Sequence, residues 1–216
     1  MDKKPLTQAD LFVTVKAFCI GSHDYKELFG VTDGKAVGTF IELKIRTELE
    51  ALYDVQTGSS ALGLDLPSLN TDIKATSVRQ PQSSCPFRSA RQKIYGLGYN
   101  LLLFVYDKQD NRRSKVATLN FVSCVFVDKR RTADYQTTRG IREILERDGN
   151  RDDIIAFLED RRLPGDESVY NELADEIMQS PPELGYLTIS NALQWRLQYR
   201  RVVNLAETVS GIEKLI

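Results

Sequence analysis

The sequence predicts an α/β fold, a mixed β-sheet flanked by α-helices, with a helical C-terminal part. Three observations carry this. Asn100–Tyr106 (NLLLFVY) is an unbroken apolar run of strand length, the pattern of a strand covered on both faces. Val116–Val127 follows as a second strand, joined to the first by the basic connection Lys108–Lys115. Gly38–Leu52 and the chain beyond Thr137 instead repeat apolar residues at helical spacing. With 216 residues, 42% of them hydrophobic and 27% charged, the chain has the material for one folded domain spanning 1–216. Its sheet core is expected at about 35–135 and its helical part at about 137–216.

The elements follow in order. Residues 7–19 are expected as a helix with Leu11, Val15 and Phe18 on one stripe. Thr32-Asp33-Gly34 is turn-like and leads into the Gly38–Leu52 helix, where Ile41, Ile45, Leu49 and Leu52 form the apolar face. Gln56–Ala61 is small and polar, a loop. Gly63–Leu66 and Thr71–Thr76 are short strand candidates on either side of a Pro67–Asn70 turn. Residues 78–90 are polar and contain prolines, so they are expected as a surface loop, with a short basic helix over 88–96. Helices are expected at 137–148, 151–161, 167–179 and 188–203.

Composition excludes several function classes. No apolar run reaches the roughly 18–20 residues of a membrane span. The N-terminal lysines precede no apolar signal core, and the expected compartment is the cytoplasm. Cys19, Cys85 and Cys124 are odd in number and far apart, and with a single histidine, His23, they have no zinc-ligand spacing. Any Ser–His or Cys–His catalysis would have to use His23, which sits in a turn-like Gly-Ser-His-Asp stretch.

The net charge of -1 conceals a strong segregation. No acid occurs from Ile73 to Tyr106, and residues 73–131 hold twelve bases against three acids. Ile141–Glu183 reverses this, with thirteen acids against five arginines. Leu184–Ala206 is again free of acids and carries Arg196, Arg200 and Arg201. Such a chain can turn a cationic face to a polyanion, most simply nucleic acid.

Asp65-Leu66-Pro67-Ser68-Leu69-Asn70-Thr71-Asp72-Ile73-Lys74 carries the chemistry. Alternation along a strand places Asp72 and Lys74 on one side and turns Ile73 to the core. The intervening turn can set Asp65 beside Asp72. Two converging carboxylates suit a hard divalent cation such as Mg²⁺, with the Ile73 carbonyl as a third oxygen ligand. Lys74 beside them can orient or activate a water and stabilise developing phosphate charge, an arrangement fitted to phosphodiester hydrolysis.

Asp65…Asp72-Ile73-Lys74, after a helix bearing an acid, resembles the PD-(D/E)XK nuclease superfamily, which includes most type II restriction endonucleases. The stretch LDLPSLNTDIKATS is especially similar to the nicking endonuclease of methyl-directed mismatch repair and its restriction-enzyme relatives. The resemblance covers about residues 35–130. It implies a restriction-endonuclease-like core in which Asp65 and Asp72 bind Mg²⁺, Lys74 serves the attacking water and a helix glutamate completes the site. Glu42, in Gly38-Thr39-Phe40-Ile41-Glu42, matches the Gly-x-x-x-Glu of that group. Leu64 stands where many members have proline. The longer connection to Asp65 leaves Glu48 and Glu50 as competitors, Glu50 about two turns further along the helix.

Arg79, Gln80, Gln82, Ser83, Arg88, Arg91, Gln92 and Lys93 follow the metal strand directly and are expected to meet DNA. Arg and Gln suit base edges, and Ser and Lys suit phosphates. Lys108–Lys115 is either a basic DNA-facing turn or a solvated hairpin. Residues 188–203, with Asn191, Gln194, Arg196 and Arg200, are either a recognition helix or a packing helix whose Leu193, Trp195 and Leu197 are core. The expected activity is Mg²⁺-dependent, site-specific cleavage of double-stranded DNA by a homodimer. A monomeric nicking or repair endonuclease and a non-catalytic DNA-binding module are the alternatives.

Overall fold

The computed structural model describes residues 3–21, 23–55, 63–190 and 196–216. The expected Gln56–Ala61 loop lies outside these, as do Asn191, Leu193, Gln194 and Trp195. The chain forms two compact units. One comprises Met1–Ser83, Asn100–Val127 and Val203–Ile216, and the other Ser84–Tyr99 and Asp128–Val202.

The first unit is built on a mixed sheet. Its strands are β1 (Asp24–Tyr25), β2 (Thr71–Ser77), β4 (Asn100–Asn111), β5 (Val116–Val127) and β8 (Ile212–Lys214), and β3 (Gln82–Ser84) follows β2 in the chain. β2 runs parallel to β4 in the register Asp72↔Leu101 and Lys74↔Leu103. β4 pairs antiparallel with β5, while β1 and β8 pair with opposite ends of β5. Leu101 to Tyr106 are all buried, as a strand covered on both faces requires.

Helix α1 (Gln8–Ile20) begins at a capping box in which Thr7 and Asp10 satisfy each other's exposed amides. Helix α2 (Gly34–Leu52) is capped by Asp33, from the stretch expected as a turn. Val37, Ile41, Ile45 and Leu49 of α2 join Leu11 and Val15 of α1 in a core with Ile73, Leu102 and Phe104. Leu52, expected on that stripe, is exposed because it ends the helix. Gly38 lies against β2, and a Cβ there would stand 3.3 Å from the Ala75 carbonyl oxygen. His23 is buried and structural: Nε2 lies 2.6 Å from the Phe18 carbonyl oxygen at the end of α1, and Nδ1 3.1 Å from the Tyr25 hydroxyl.

The second unit holds α3 (Ala90–Tyr95), α4 (Tyr135–Leu145), α5 (Arg151–Asp160) and α6 (Glu167–Gln179), close to the helices expected from periodicity. Ile94, Ile141, Ile154, Leu158, Leu173 and Ile177 form its core. Asp134 caps α4 and also accepts from the Ile189 amide, so this buried carboxylate has its hydrogen bonds met.

Four expectations are corrected. The described residues of 188–203 do not form the expected helix: β6 (Thr188–Ser190) and β7 (Arg196–Gln198) pair antiparallel, and among the described residues of this span helix starts only at Arg200, in α7 (Arg200–Leu205). Leu197 and Tyr199 are buried while Gln198 between them is exposed, a period of two that helical spacing cannot supply. Gly63–Leu66 is no strand but contributes one bridge, Leu66 to Thr71. The 78–90 loop contains β3 and buries Phe87. The Lys108–Lys115 connection narrows to a turn after Asn111, because β4 continues through Lys108–Asn111 with full pairing to β5.

Candidate active site

Leu66 and Thr71 exchange backbone hydrogen bonds of 3.0 and 3.1 Å around a single 3₁₀ turn, Pro67–Leu69. Asn70 closes it in the left-handed conformation at φ 48°, which asparagine tolerates better than most residues. The tight turn folds Asp65 back onto β2, where the Ile73 N–H donates to Asp65 Oδ2 at 2.8 Å. Asn100, at the start of β4, ties the turn down. Its backbone N–H donates to the Asn70 carbonyl at 2.8 Å and its side-chain amide to the Leu69 carbonyl at 3.1 Å. Sequence reasoning missed this role for Asn100. No local signal announces it, because the partner lies across a parallel strand pair.

Alternation on β2 then operates as expected. Ile73 is fully buried, and Asp72 and Lys74 share the other side. Lys74 Nζ lies 2.6 Å from Asp72 Oδ2 and 3.1 Å from the Ile73 carbonyl oxygen. Asp72 is itself 6% exposed, and its carboxyl group is in hydrogen-bonding reach of Asp65. Burial, then that hydrogen bond, push Asp72 up to about 7 against the pull of Lys74. Glu42, half-buried on α2, is raised by burial, lowered by Lys74 and raised again by Asp65. The fold thus gathers Glu42, Asp65, Asp72 and Lys74. Of the competing acids, Glu50 pairs with Arg46 at 3.8 Å, and Glu48 acts on Tyr25.

These residues fit a hard cation. Two carboxyl groups this close repel when both are ionised, so a proton or a cation is needed between them. Lys74 already brings an ammonium against Asp72 and the Ile73 carbonyl, marking where positive charge is favoured. Among the described residues no group of three or more His, Cys, Asp or Glu side chains forms a ready cage. That leaves the all-oxygen pair plus carbonyl, a set suited to Mg²⁺, which binds through one or two carboxylates and keeps several waters.

The residues expected at DNA are placed unequally. Arg79 and Gln80 are exposed on the turn after β2, and Gln82 and Ser83 are half-buried in β3. Arg88 is exposed, and its N–H is held by Gln92 Oε1 at 2.6 Å, so Gln92 serves as a local clasp. Arg91 forms a bidentate pair with Glu176, Nη2 to Oε1 at 2.6 Å, and lies over the Tyr95 ring. This places a base of the cationic stretch on the acidic helix α6. Lys93 is a correction: it is 2% exposed, and burial lowers its pKa, with Asp134 opposing. Its place on α3 buries it with Ala90 and Ile94 rather than on the exposed face expected of a phosphate contact. Arg196 is half-buried on β7, and Arg200 is exposed at the start of the short helix α7, so neither lies on a helix spanning 188–203.

A family model described as Type II restriction enzyme NspV matches residues 5–214. A protein named Type II restriction enzyme NspV, from Nostoc sp. (strain ATCC 29411 / PCC 7524), is 56% identical over 206 residues, covering 95% of this chain and 92% of that protein. The chain belongs to the NspV family of type II restriction enzymes. As an NspV-family restriction enzyme it is a site-specific deoxyribonuclease and binds DNA. The non-catalytic alternative is thereby set aside. No solved structure matches the chain. Among the described residues no helix of this NspV-family chain is long and apolar enough to cross a membrane.

Proposed function

We propose that Glu42, Asp65, Asp72 and Lys74 form a PD-(D/E)XK-type catalytic centre that hydrolyses phosphodiester bonds in double-stranded DNA with Mg²⁺ as cofactor. One observation carries the proposal: a carboxylate pair converges at the end of a tight turn, with Lys74 Nζ 2.6 Å from Asp72. Asp65, Asp72 and the Ile73 carbonyl would hold the cation. When bound, Mg²⁺ supplies Lewis-acid polarisation of the scissile phosphate.

The protein's own groups supply the rest. Lys74, released from Asp72, holds the attacking water at Nζ and stabilises charge developing on the phosphate. Glu42, whose charge Lys74 and Asp65 both feel, would accept a proton from that water. The Leu66–Thr71 turn fixes both aspartates, so little reorganisation accompanies the reaction. Each chain carries one such centre. Two copies related by a two-fold axis would cut both strands of a palindromic site, and homodimeric action is part of the proposal.

The test is digestion of unmethylated DNA of diverse sequence by the protein and its Lys74→Ala variant, in Mg²⁺ and in EDTA. Discrete fragments only in the Mg²⁺ lane of the parent protein are expected. Fragments from Lys74→Ala at the parent's rate would sink the assignment. A supercoiled plasmid distinguishes the two modes of cutting: direct conversion to linear DNA supports the dimer, and accumulation of the nicked circle supports the monomeric nicking enzyme.

A further inference from the structure

Beyond Lys74, β2 carries one more buried polar side chain on the same side. Thr76 alternates with Asp72 and Lys74 and is only 4% exposed. Its hydroxyl does not face the sheet ladder but the segment that leaves it. Thr76 Oγ1 accepts from the Gln82 N–H at 3.0 Å and donates toward the carbonyl oxygens of Gln82 at 3.1 Å and Gln80 at 3.3 Å. One donor and two acceptor positions are what a hydroxyl offers, and here both functions serve one turn.

The turn is otherwise closed by its own backbone. The Gln80 N–H donates to the Ser77 carbonyl at 3.2 Å, and the Arg79 N–H to Ser77 Oγ at 3.3 Å. At its root the Val78 N–H donates to the Tyr106 carbonyl at 2.8 Å, which extends the pairing of β2 with β4. The product is a turn whose backbone is hydrogen-bonded inward and whose Arg79 and Gln80 side chains are exposed. No acid lies in the sequence from Ile73 to Tyr106. Arginine and glutamine are the side chains suited to bidentate contacts with guanine and adenine edges.

We propose that Thr76 is a positioning residue for site recognition: its hydroxyl locks the Ser77–Gln82 turn so that Arg79 and Gln80 meet the target duplex in a fixed relation to the Asp72–Lys74 pair. The proposal rests on the reading of Asp65, Asp72 and Lys74 as the catalytic centre. Thr76 lies about 7 Å beyond Lys74 along the strand. Recognition and cleavage are then coupled through one rigid strand, with no moving part between them.

The test compares Thr76→Val, which keeps the shape and removes the hydroxyl, with Thr76→Ser, which keeps the hydroxyl. The target is first mapped by sequencing the fragment ends that the parent protein produces. Affinity for the target duplex and for duplexes with single base changes is then measured in a Lys74→Ala background, and kcat and KM in the Lys74 background. Thr76→Val is expected to lose about tenfold or more in discrimination, the size of one base contact, and to raise KM more than it lowers kcat. Thr76→Ser is expected to restore both. Wild-type discrimination in a folded Thr76→Val protein would overturn the proposal. So would an equal fall in kcat for both variants with discrimination intact, which marks a purely structural clasp. If Thr76→Val does not fold, Arg79→Ala and Gln80→Ala carry the same measurement, and unchanged discrimination in both overturns it. Cleavage by Lys74→Ala would defeat the catalytic assignment and leave the Thr76 binding comparison readable by itself.

Discussion

Replacing Asp72 with asparagine should stabilise the protein in EDTA, and by an amount that depends on pH. Asp72 is pushed from 3.8 up to about 7, first by burial and next by its hydrogen bond with Asp65. A carboxyl group raised in this way keeps its proton in the folded state after the unfolded chain has given it up near pH 4. Between about pH 4 and 7 the folded state therefore binds more protons, and stability falls as pH rises through that window, then levels off. Each pH unit corresponds to about 1.4 kcal/mol, so a rise from 3.8 to about 7 gives at most roughly 4 kcal/mol. Asparagine cannot ionise and escapes this cost; the rise to about 7 already includes the pull of Lys74, so the gain above pH 7 is at most roughly 4 kcal/mol. For a chain of this size that is at most about 15 °C in melting temperature. The assay is thermal melting in EDTA from pH 4 to 8, followed by circular dichroism. The two proteins should melt together near pH 4 and diverge toward pH 7, with the variant higher and unable to cut DNA in Mg²⁺. Parallel curves, or a variant less stable at pH 8, would refute the argument.

Glu42→Gln should lower the cleavage rate by about 10²-fold or more, within the range of a positioned acid–base group, while Glu50→Gln cuts at close to the parent rate in the same single-turnover assay. Gly38→Val should slow cleavage and lower the melting temperature, because even its Cβ would stand 3.3 Å from the Ala75 carbonyl and push α2, with Glu42, off β2. Lys93→Met should leave DNA affinity and its salt dependence unchanged, whereas Arg88→Ala should reduce the slope of affinity against salt by about one ion if it contacts a phosphate. Phe104→Ala, in the middle of the buried strand β4, should cost about 3–5 kcal/mol in denaturant unfolding.

That Asp65, Asp72 and Lys74, the residues proposed as the catalytic centre, come together was legible in the sequence because the logic is local. Asp72, Ile73 and Lys74 are fixed by strand alternation, and Asp65 is returned to them by a turn of only a few residues. Strand β4 was equally plain, since six consecutive buried apolar residues leave no other element of that length. Helices α4 to α6 announced themselves through periodicity, and in the structure Asp134, Asn150 and Asp166 cap them.

What the sequence could not decide depends on neighbours distant in the chain. Residues 188–203 carry enough leucine and arginine to look helical, yet Leu197 and Tyr199 are drawn inward at a period of two by pairing with Thr188–Ser190. Lys93 looks like one more base of a cationic run until α3 packs, and its side chain then lies inside rather than on the surface. What favours Glu42 over Glu50 in the proposal is the close approach of α2 to β2 at Gly38, one turn before Glu42. Asn100 holds the Pro67–Asn70 turn from another strand, and Thr76 holds the turn that follows β2. Alternation and short turns thus determine which side chains can do chemistry together, because they act over a few residues. Burial and long-range hydrogen bonds determine which of them are presented, because each depends on a surface that only the packed chain creates.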